Sequence, residues 1–262
     1  MSDATGGAPQ APRGSGEHPI CWVEIRSTDL QKAHDFYGTV FGWELSDFGD
    51  TFKVHYAPGH LGMGFSKGWR DELPNSLFYI AVPDIDDVVA KVVARGGELV
   101  EPKQPIGPDM PNSAIVRNAQ GVHLGLFDGA KSPQPYVPAP WTAPEPVEPN
   151  TVCSVEIHGG TDLSEAENFY GGLFGWGTAS MGPQYMMYDP GAGVGGVFQG
   201  HTPQAPVMIY IYVTDVMAAL EKIVASGGKQ IGEAAAMPGM GMFGYFSDPN
   251  GVVLGLIGPA GN

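Results

Sequence analysis

Two glutamates occupy matching places in the two halves of this chain, each on a short stretch that alternates apolar and polar residues. Glu24 lies in CWVEIR and Glu156 lies in CSVEIH. Alternate side chains of a β-strand share a face, so Arg26 accompanies Glu24 and His158 accompanies Glu156. A carboxylate on an inward strand face is either hydrogen-bonded to its neighbours or used as a general base or ligand anchor. Both interpretations remain open at this point.

The elements that must position these glutamates can be predicted from the residues that follow them. In TDLQKAHDFYGTVFGWEL, Thr28 or Asp29 can cap a helix, and Gly42 can end it. The apolar residues between these signals recur on one helical face. Three short strands follow, and the pattern then restarts with the strand LFYIAV and a helix capped by Asp84. The predicted module is strand, helix, three strands.

The chain repeats this plan at the level of sequence. FYGTVFGWEL in the first half corresponds to FYGGLFGWGT in the second, and NAQGVHLGLFD corresponds to DPNGVVLGLIG. We therefore predict two copies of one domain, holding four modules in all. A Gly-, Ala- and Pro-rich segment opens the chain and is expected to be flexible, and a proline-rich linker joins the copies. The predicted boundaries are 1–17 for the tail, 18–128 for the first domain, 129–150 for the linker and 151–260 for the second domain.

Composition excludes several classes of partner and location. The formal net charge is −15, and no basic block occurs, which argues against nucleic acid and anionic membranes. No apolar run is long enough for a membrane span, and the N-terminus has no apolar signal core. Cys21 and Cys153 sit at matching places and are expected to be small buried residues, although a bridge between them stays open. We expect a cytoplasmic monomer or homodimer.

The order of these motifs resembles the vicinal oxygen chelate superfamily, which includes glyoxalase I, extradiol dioxygenases and bleomycin-resistance proteins. The resemblance rests on TDLQKAHDFYGTVFGWEL with the later NAQGVHLGLF, and on TDLSEAENFYGGLFGWGT with DPNGVVLGLI. Within the superfamily the chain is most similar to tandem two-domain proteins of actinobacteria that are often labelled hydroxylases. The resemblance implies an α+β fold in which each half curls two modules into a cup-shaped sheet. It is compatible with a lyase, dioxygenase or hydroxylase activity, but function depends on the site rather than on the fold.

The resemblance also implies a divalent metal, held in the cup by four His, Glu or Gln side chains. Carried onto this sequence, the first-strand ligand falls on Trp22 and Ser154, and the last-strand ligand falls on Gly125 and Gly255. The restarting strands place a ligand near Phe78 and Ile209. The remaining position lies within LGMGF or GVGGVF, which have no donor side chain. We therefore predict no metal and no other cofactor.

Alternation on the strands then predicts what lines the two cups. Glu24 and Glu156 are the candidate catalytic residues. The candidate ligand-binding residues combine aromatic, methionine and polar side chains: Trp22, Arg26, Tyr56, Phe78, His123, Ser154, His158, Tyr185, Met187 and Met240.

The function predicted from these residues is binding of a small apolar or aromatic metabolite, with or without metal-free catalysis. One alternative is a metal-dependent lyase or dioxygenase with the unusual ligands Glu24, His123, Glu156 and His158. A second alternative is a resistance protein that sequesters an antibiotic without catalysis.

Overall fold

The first half of the chain contains two consecutive strand–helix–three-strand modules. The computed structural model describes residues 10–56, 58–68, 70–108, 110–128, 147–201 and 205–260. The first module comprises β1 (Ile20–Arg26), α1 (Leu30–Phe41), β2 (Ser46–Asp47), β3 (Phe52–His55) and β4 (Gly62–Ser66). The second comprises β5 (Ser76–Val82), α2 (Ile85–Ala94), β6 (Glu98–Pro105), β7 (Asn112–Arg117) and β8 (His123–Asp128).

The second half repeats the plan, with one irregular helix. Its first module comprises β9 (Thr151–His158), α3 (Leu163–Ala166), a π-helical segment (Glu167–Gly171), α4 (Gly172–Phe174), β10 (Gly177–Ser180), β11 (Tyr185–Asp189) and β12 (Gly196–Gln199). Its second module comprises β13 (Val207–Tyr212), α5 (Val216–Ala225), β14 (Lys229–Met237), β15 (Gly241–Ser247) and β16 (Val253–Gly258).

Each half forms its own open eight-stranded sheet. The strand order is β2-β3-β4-β1-β5-β8-β7-β6 in the first half and β10-β11-β12-β9-β13-β16-β15-β14 in the second. The two modules of a half meet at its centre, where β1 pairs antiparallel with β5 and β9 pairs antiparallel with β13. The predicted α+β fold with two tandem domains is confirmed. We call the face of each sheet that points away from its helices the cup face.

The helix α1 shows why the local sequence folds as it does. The Asp29 side chain accepts hydrogen bonds from the backbone N–H groups of Gln31 and Lys32, so it caps the helix. Gly42 adopts the left-handed conformation that ends it, with φ of 74°. The buried face carries the apolar residues predicted from the spacing, and these residues are Ala33, Phe36, Tyr37, Val40 and Phe41.

The two halves share one hydrophobic core. The Phe36 ring of α1 lies 6.3 Å from the Phe246 ring of β15, and the Phe78 ring of β5 lies 6.4 Å from the Tyr170 ring. The largest buried cluster contains residues of both halves. Each FY motif therefore packs against the sheet of the opposite half as well as its own.

Hydrogen bonds cross the same interface in matching pairs. The Tyr37 hydroxyl donates to Asp248 Oδ2 at 3.1 Å, and Asn118 Nδ2 lies 3.5 Å from the Tyr170 hydroxyl. Burial raises the pKa of Asp248 from 3.8 to about 6, against the lowering effect of its hydrogen bonds.

The chain segments outside the two sheets also contact them. In the predicted flexible tail, Gly14 N donates to Asp189 O at 3.1 Å and Gly16 N donates to Pro190 O at 2.9 Å. This described part of the tail therefore lies along the second half, which differs from the expectation of a flexible segment. Of the predicted linker, residues 129–146 lie outside the described residues. Both cysteines are free thiols, and burial raises the pKa of Cys21 to about 12. Within the described ranges, the helices are too short or too polar to cross a bilayer.

Candidate active site in the second cup

The register of the strands places the two glutamates on the cup faces of their sheets. Glu24 lies opposite Gly64 of β4, and Glu156 lies opposite Val197 of β12. Trp22 and Ser154 occupy the same faces two residues earlier. The two cups can therefore be compared position by position.

The first cup is filled by its own aromatic side chains. The Trp22 ring lies over Gly62 and the Phe52 ring lies over Gly64, so a Cβ atom added at either glycine would overlap with a ring. The Tyr79 ring covers Gly125 in the same way and stacks on Phe127, with ring centroids 4.4 Å apart. The rings of Trp22 and Tyr79 belong to one compact cluster, whose buried members are Leu73, Leu77, Tyr79 and Ile115.

Glu24 is hydrogen-bonded beneath this aromatic layer. The Tyr79 hydroxyl donates to Glu24 Oε2 at 2.9 Å, and Ser66 also hydrogen-bonds the carboxyl group. Burial raises the pKa of Glu24 from 4.5 to about 7, although the bonds from Tyr79 and Ser66 oppose the shift. Arg26 forms an ion pair with the exposed Asp71 at 2.8 Å. The structural interpretation of Glu24, as a hydrogen-bonded carboxyl group, fits this geometry.

The second cup contains a cavity of about 230 Å³. Six apolar side chains line it: Met181, Val197, Met237, Met240, Phe243 and Ile257. Six polar side chains complete the lining: Ser154, Glu156, Tyr185, His201, Tyr210 and Tyr245. A mainly apolar wall with a few convergent polar groups is typical of small-molecule sites.

Glu156 is the charged end of a short hydrogen-bonded chain in this cavity. The Tyr210 hydroxyl lies 3.2 Å from Glu156 Oε2 and 3.3 Å from the Tyr245 hydroxyl. It can donate to the carboxylate while it accepts from Tyr245. Burial raises the pKa of Glu156, and the Tyr210 hydrogen bond and the nearby His201 oppose this shift. A carboxylate with a raised pKa is a stronger base than a free one, so the group can bind or accept a proton.

A second polar pair lies at another part of the cavity wall. The Tyr185 hydroxyl and His201 Nε2 are 2.8 Å apart. Burial raises the pKa of Tyr185, and the charge of Glu156 adds to the shift. Tyr185 therefore keeps its proton and acts as a neutral hydrogen-bonding group.

Phe78 was predicted to face the first cup, and this prediction is wrong. Phe78 and Ile209 are fully buried in the shared core. The β1–β5 pairing shifts register between Ile20 and Trp22, so Trp22 lies opposite Tyr79 rather than Phe78. The β9–β13 pairing shifts in the same way, and Ser154 lies opposite Tyr210. The restarting strands thus turn their tyrosines into the cups.

The remaining predicted residues fall in different surroundings. Ser154, Tyr185 and Met240 line the cavity, and Met187 is buried opposite Val197. Tyr56 is 66% exposed, with its ring 5.4 Å from that of Trp22.

The predicted histidines do not join the glutamates. Strand β5 separates His123 on β8 from Glu24 on β1. Burial lowers the pKa of His123, and the charge of Arg117 lowers it further. His158 does not line the cavity, and its buried Nδ1 atom has no hydrogen-bond partner within the described part of the chain.

Sequence reasoning missed Tyr210, Tyr245 and His201. The signal for Tyr210 was present, because FYIAV and IYIYV carry a tyrosine at the same position of the repeat. Tyr245 and His201 have no counterpart in any motif of the sequence, and only the folded sheet brings them to Glu156.

The donor set of the cups does not fit a divalent metal. The positions that resemble the family's ligand sites carry Trp22, Tyr79 and Gly125 in one half and Ser154, Tyr210 and Gly255 in the other. The tyrosine rings cover both glycines, so the space of the last-strand ligand is already filled. Among the residues the structure describes, no three His, Cys, Asp or Glu side chains cluster in a way that could hold a metal.

Comparison with known proteins agrees with this architecture. The Glyoxalase/Bleomycin resistance protein/Dioxygenase superfamily profile matches residues 20–124. The protein CFP32 of Mycobacterium tuberculosis is 30% identical over 258 residues, which cover 91% of this chain and 94% of that protein. A glyoxylase-like domain-containing protein of Didymella fabae is 29% identical over 111 residues, which cover 39% of this chain and 87% of that protein.

Two solved structures share the fold at low sequence identity. A Mn(II)-bound glyoxalase from Novosphingobium aromaticivorans has a TM-score of 0.66 and 15% identity, with 95% of this chain and 83% of that chain covered. The 2,3-dioxygenase LapB from Pseudomonas sp. KL28 has a TM-score of 0.64 and 13% identity, with 95% and 94% covered.

Proposed function

Since the chain belongs to the glyoxalase/bleomycin resistance protein/dioxygenase superfamily, we propose that its second cup binds a small apolar or aromatic molecule with a polar group directed at Glu156. One observation carries this proposal: the second cup holds a cavity around Glu156, whereas aromatic rings fill the first cup around Glu24.

The lining of the cavity supports a ligand of this class. Met181, Met237 and Met240 offer unbranched, polarizable side chains that adapt to flat apolar ligands. Phe243 adds an aromatic surface. A net charge of −15 on the chain disfavours strongly anionic ligands, so the polar group is more suitably neutral or a proton donor.

Metal-free proton transfer is a second candidate function for the same cavity. Glu156 can accept a proton from the bound molecule, while the neutral Tyr210 and Tyr245 hydroxyls stabilise the charge that this leaves. This candidate is supported by the raised pKa of Glu156 and by its place in the cavity wall. Activity on a bound compound would separate it from simple sequestration.

The test is a thermal-shift screen of aromatic metabolites and aldehydes, followed by titration of each hit. We expect Glu156→Gln to weaken binding of a hit by about tenfold, because a hydrogen bond to a charged group contributes about 1.5–3 kcal/mol. The matched control is Glu24→Gln, which alters the equivalent carboxyl group in the filled cup and should leave the affinity unchanged. Equal losses of affinity in both variants, or an unchanged affinity of the hits for Glu156→Gln, would contradict the proposal.

Metal content tests the alternative of a metal-dependent lyase or dioxygenase. We expect less than one tightly bound divalent metal ion per chain after dialysis, measured by elemental analysis, because the cups lack a suitable donor set. Stoichiometric zinc, iron, nickel or manganese that is lost on mutation of Glu24 or Glu156 would restore that alternative.

A further inference from the structure

Two buried polar groups of the second cup have no hydrogen-bond partner among the residues that the structure describes. Gln199 is 1% exposed, and its Oε1 atom is buried without a bond. The Nδ1 atom of His158 is also buried without a bond. The two residues are direct register partners on the adjacent parallel strands β9 and β12. Buried polar groups are normally paired, so an unpaired neighbouring couple needs an explanation.

Their position connects them with the cavity. Gln199 follows Val197 by two residues on β12, so both side chains lie on the cup face, and Val197 lines the cavity. Gln199 also lies directly opposite Tyr185 of β11, another lining residue. Tyr185 is the side chain beside this couple, and one hydrogen bond to His201 holds its hydroxyl group.

The corresponding couple of the first cup has partners. Arg26 and Ser66 occupy the equivalent register position. Arg26 reaches Asp71, and Ser66 hydrogen-bonds Glu24. Unpaired groups at this position are therefore a property of the cup that has a cavity, and not a requirement of the fold.

We propose that Gln199 and His158 form a polar subsite at the Tyr185 end of the second cup and bind a hydroxyl group of the ligand. The inference rests on the proposed function of this cup. A hydroxyl group can donate to Gln199 Oε1 while it accepts from an N–H group at Nδ1 of His158. Both unpaired atoms then have a hydrogen-bond partner. The Tyr185 ring turns aside to admit it, at the expense of its bond to His201. The favoured ligand class is thereby narrowed to apolar or aromatic alcohols and phenols.

Paired probes test the subsite. The affinities of 2-naphthol and naphthalene are measured by fluorescence titration, since they differ only in one hydroxyl group. We expect the wild-type protein to prefer 2-naphthol by about tenfold or more, because a ligand that lacks the hydroxyl leaves buried groups unpaired. In Gln199→Met the preference should disappear while naphthalene binding is retained. Ser66→Ala changes the matching position of the first cup and should keep the preference.

A second readout needs no ligand. Replacing an unpaired buried amide by a methionine of similar size should raise the melting temperature, whereas Ser66→Ala should lower it by removing a bond to Glu24. Gln199→Leu repeats the test in case the methionine packs badly.

The outcomes separate the two proposals. Binding of both naphthalene probes with equal affinity would overturn the subsite and leave the proposed function standing. A preference for 2-naphthol that survives in both Gln199 variants, or a fall in the melting temperature of both, would also overturn it. Binding of neither probe would overturn the proposed function together with the subsite.

Discussion

The two cups have the same strands and the same glutamate–tyrosine pair, but the described residues line a cavity around Glu156, whereas the rings of Trp22 and Tyr79 pack together in the first cup. Tyr79 bonds Glu24 at 2.9 Å, and Tyr210 lies 3.2 Å from Glu156. The decisive difference is on the first strand, where Trp22 corresponds to Ser154. A tryptophan fills the space that a serine leaves open. The glutamate–tyrosine pair thus belongs to the repeated fold, and the volume of the neighbouring side chains sets the free space beside it.

A tryptophan introduced at Ser154 should fill the second cup in the way that Trp22 fills the first. Trp22 lies over Gly62 and beside Gly64, and the second half has Gly195 and Val197 at the corresponding places. We therefore expect the double variant Ser154→Trp/Val197→Gly to lose roughly 100-fold in ligand affinity, about 2.8 kcal/mol at 1.4 kcal/mol per tenfold change. Isothermal titration with a hit of the screen measures the loss. Trp22→Ser in the first cup is the control and should keep full affinity; a loss in the control would show that binding depends on the first cup.

The interface between the halves offers a smaller contrast. Tyr37 donates to the Asp248 carboxyl group at 3.1 Å, whereas Tyr170 and the neutral Asn118 are 3.5 Å apart. Tyr37→Phe should lower the free energy of unfolding by about 1–2 kcal/mol, because a buried carboxyl group loses a hydrogen-bond donor. Tyr170→Phe should cost less than about 1 kcal/mol, because its bond is long. Urea denaturation of the two variants compares them, and a larger loss for Tyr170→Phe would reverse this ranking of the bonds.

The last contrast is a pH dependence in the first cup. The pKa of Glu24 is raised from 4.5 to about 7, so between these values the folded chain binds one proton more than the unfolded chain. This contribution to stability is therefore complete below pH 4.5 and is lost as the pH rises through about 7. The loss amounts to at most about 1.4 kcal/mol per pH unit, and Glu24→Gln should lack it.

Denaturation at several pH values checks this slope as the difference between wild type and variant. Glu156→Gln should change the slope with the same sign, because burial also raises the pKa of Glu156. If the wild type and Glu24→Gln keep parallel profiles from pH 4.5 to 7, the carboxyl group of Glu24 does not titrate with folding.

The repeated helices and strands could be predicted from the sequence because residues within each element specify it. Asp29 caps α1 and Gly42 ends it as expected, since capping depends on residues within one turn. The alternation of β1 and β9 likewise placed Glu24 and Glu156 on the cup faces. Local signals of this kind need no knowledge of the rest of the fold.

The site depended on features that no single segment specifies. The register shifts beside Trp22 and Tyr210 move the phase of alternation by one residue, so the residue opposite Trp22 is Tyr79 and not Phe78, the position that the resemblance implied. His201 and Tyr245 reach the cavity from separate strands or loops. The shared core was also not predictable, because the apolar face of α1 does not reveal which half covers it.

The reciprocal packing of the two halves has a consequence for how such a duplicated protein can change. Strand β15, whose Tyr245 lines the second cavity, carries on its other face Phe246, which contacts Phe36 of the first half. A half whose cup is packed with its own aromatic side chains still supports the fold of the other half through this shared core. The residues of its cup face can then change, whereas the residues of the helix that packs against the other half cannot change without disturbing the shared core. The cup faces of the two halves can therefore diverge in sequence, while the faces that pack against each other remain constrained together.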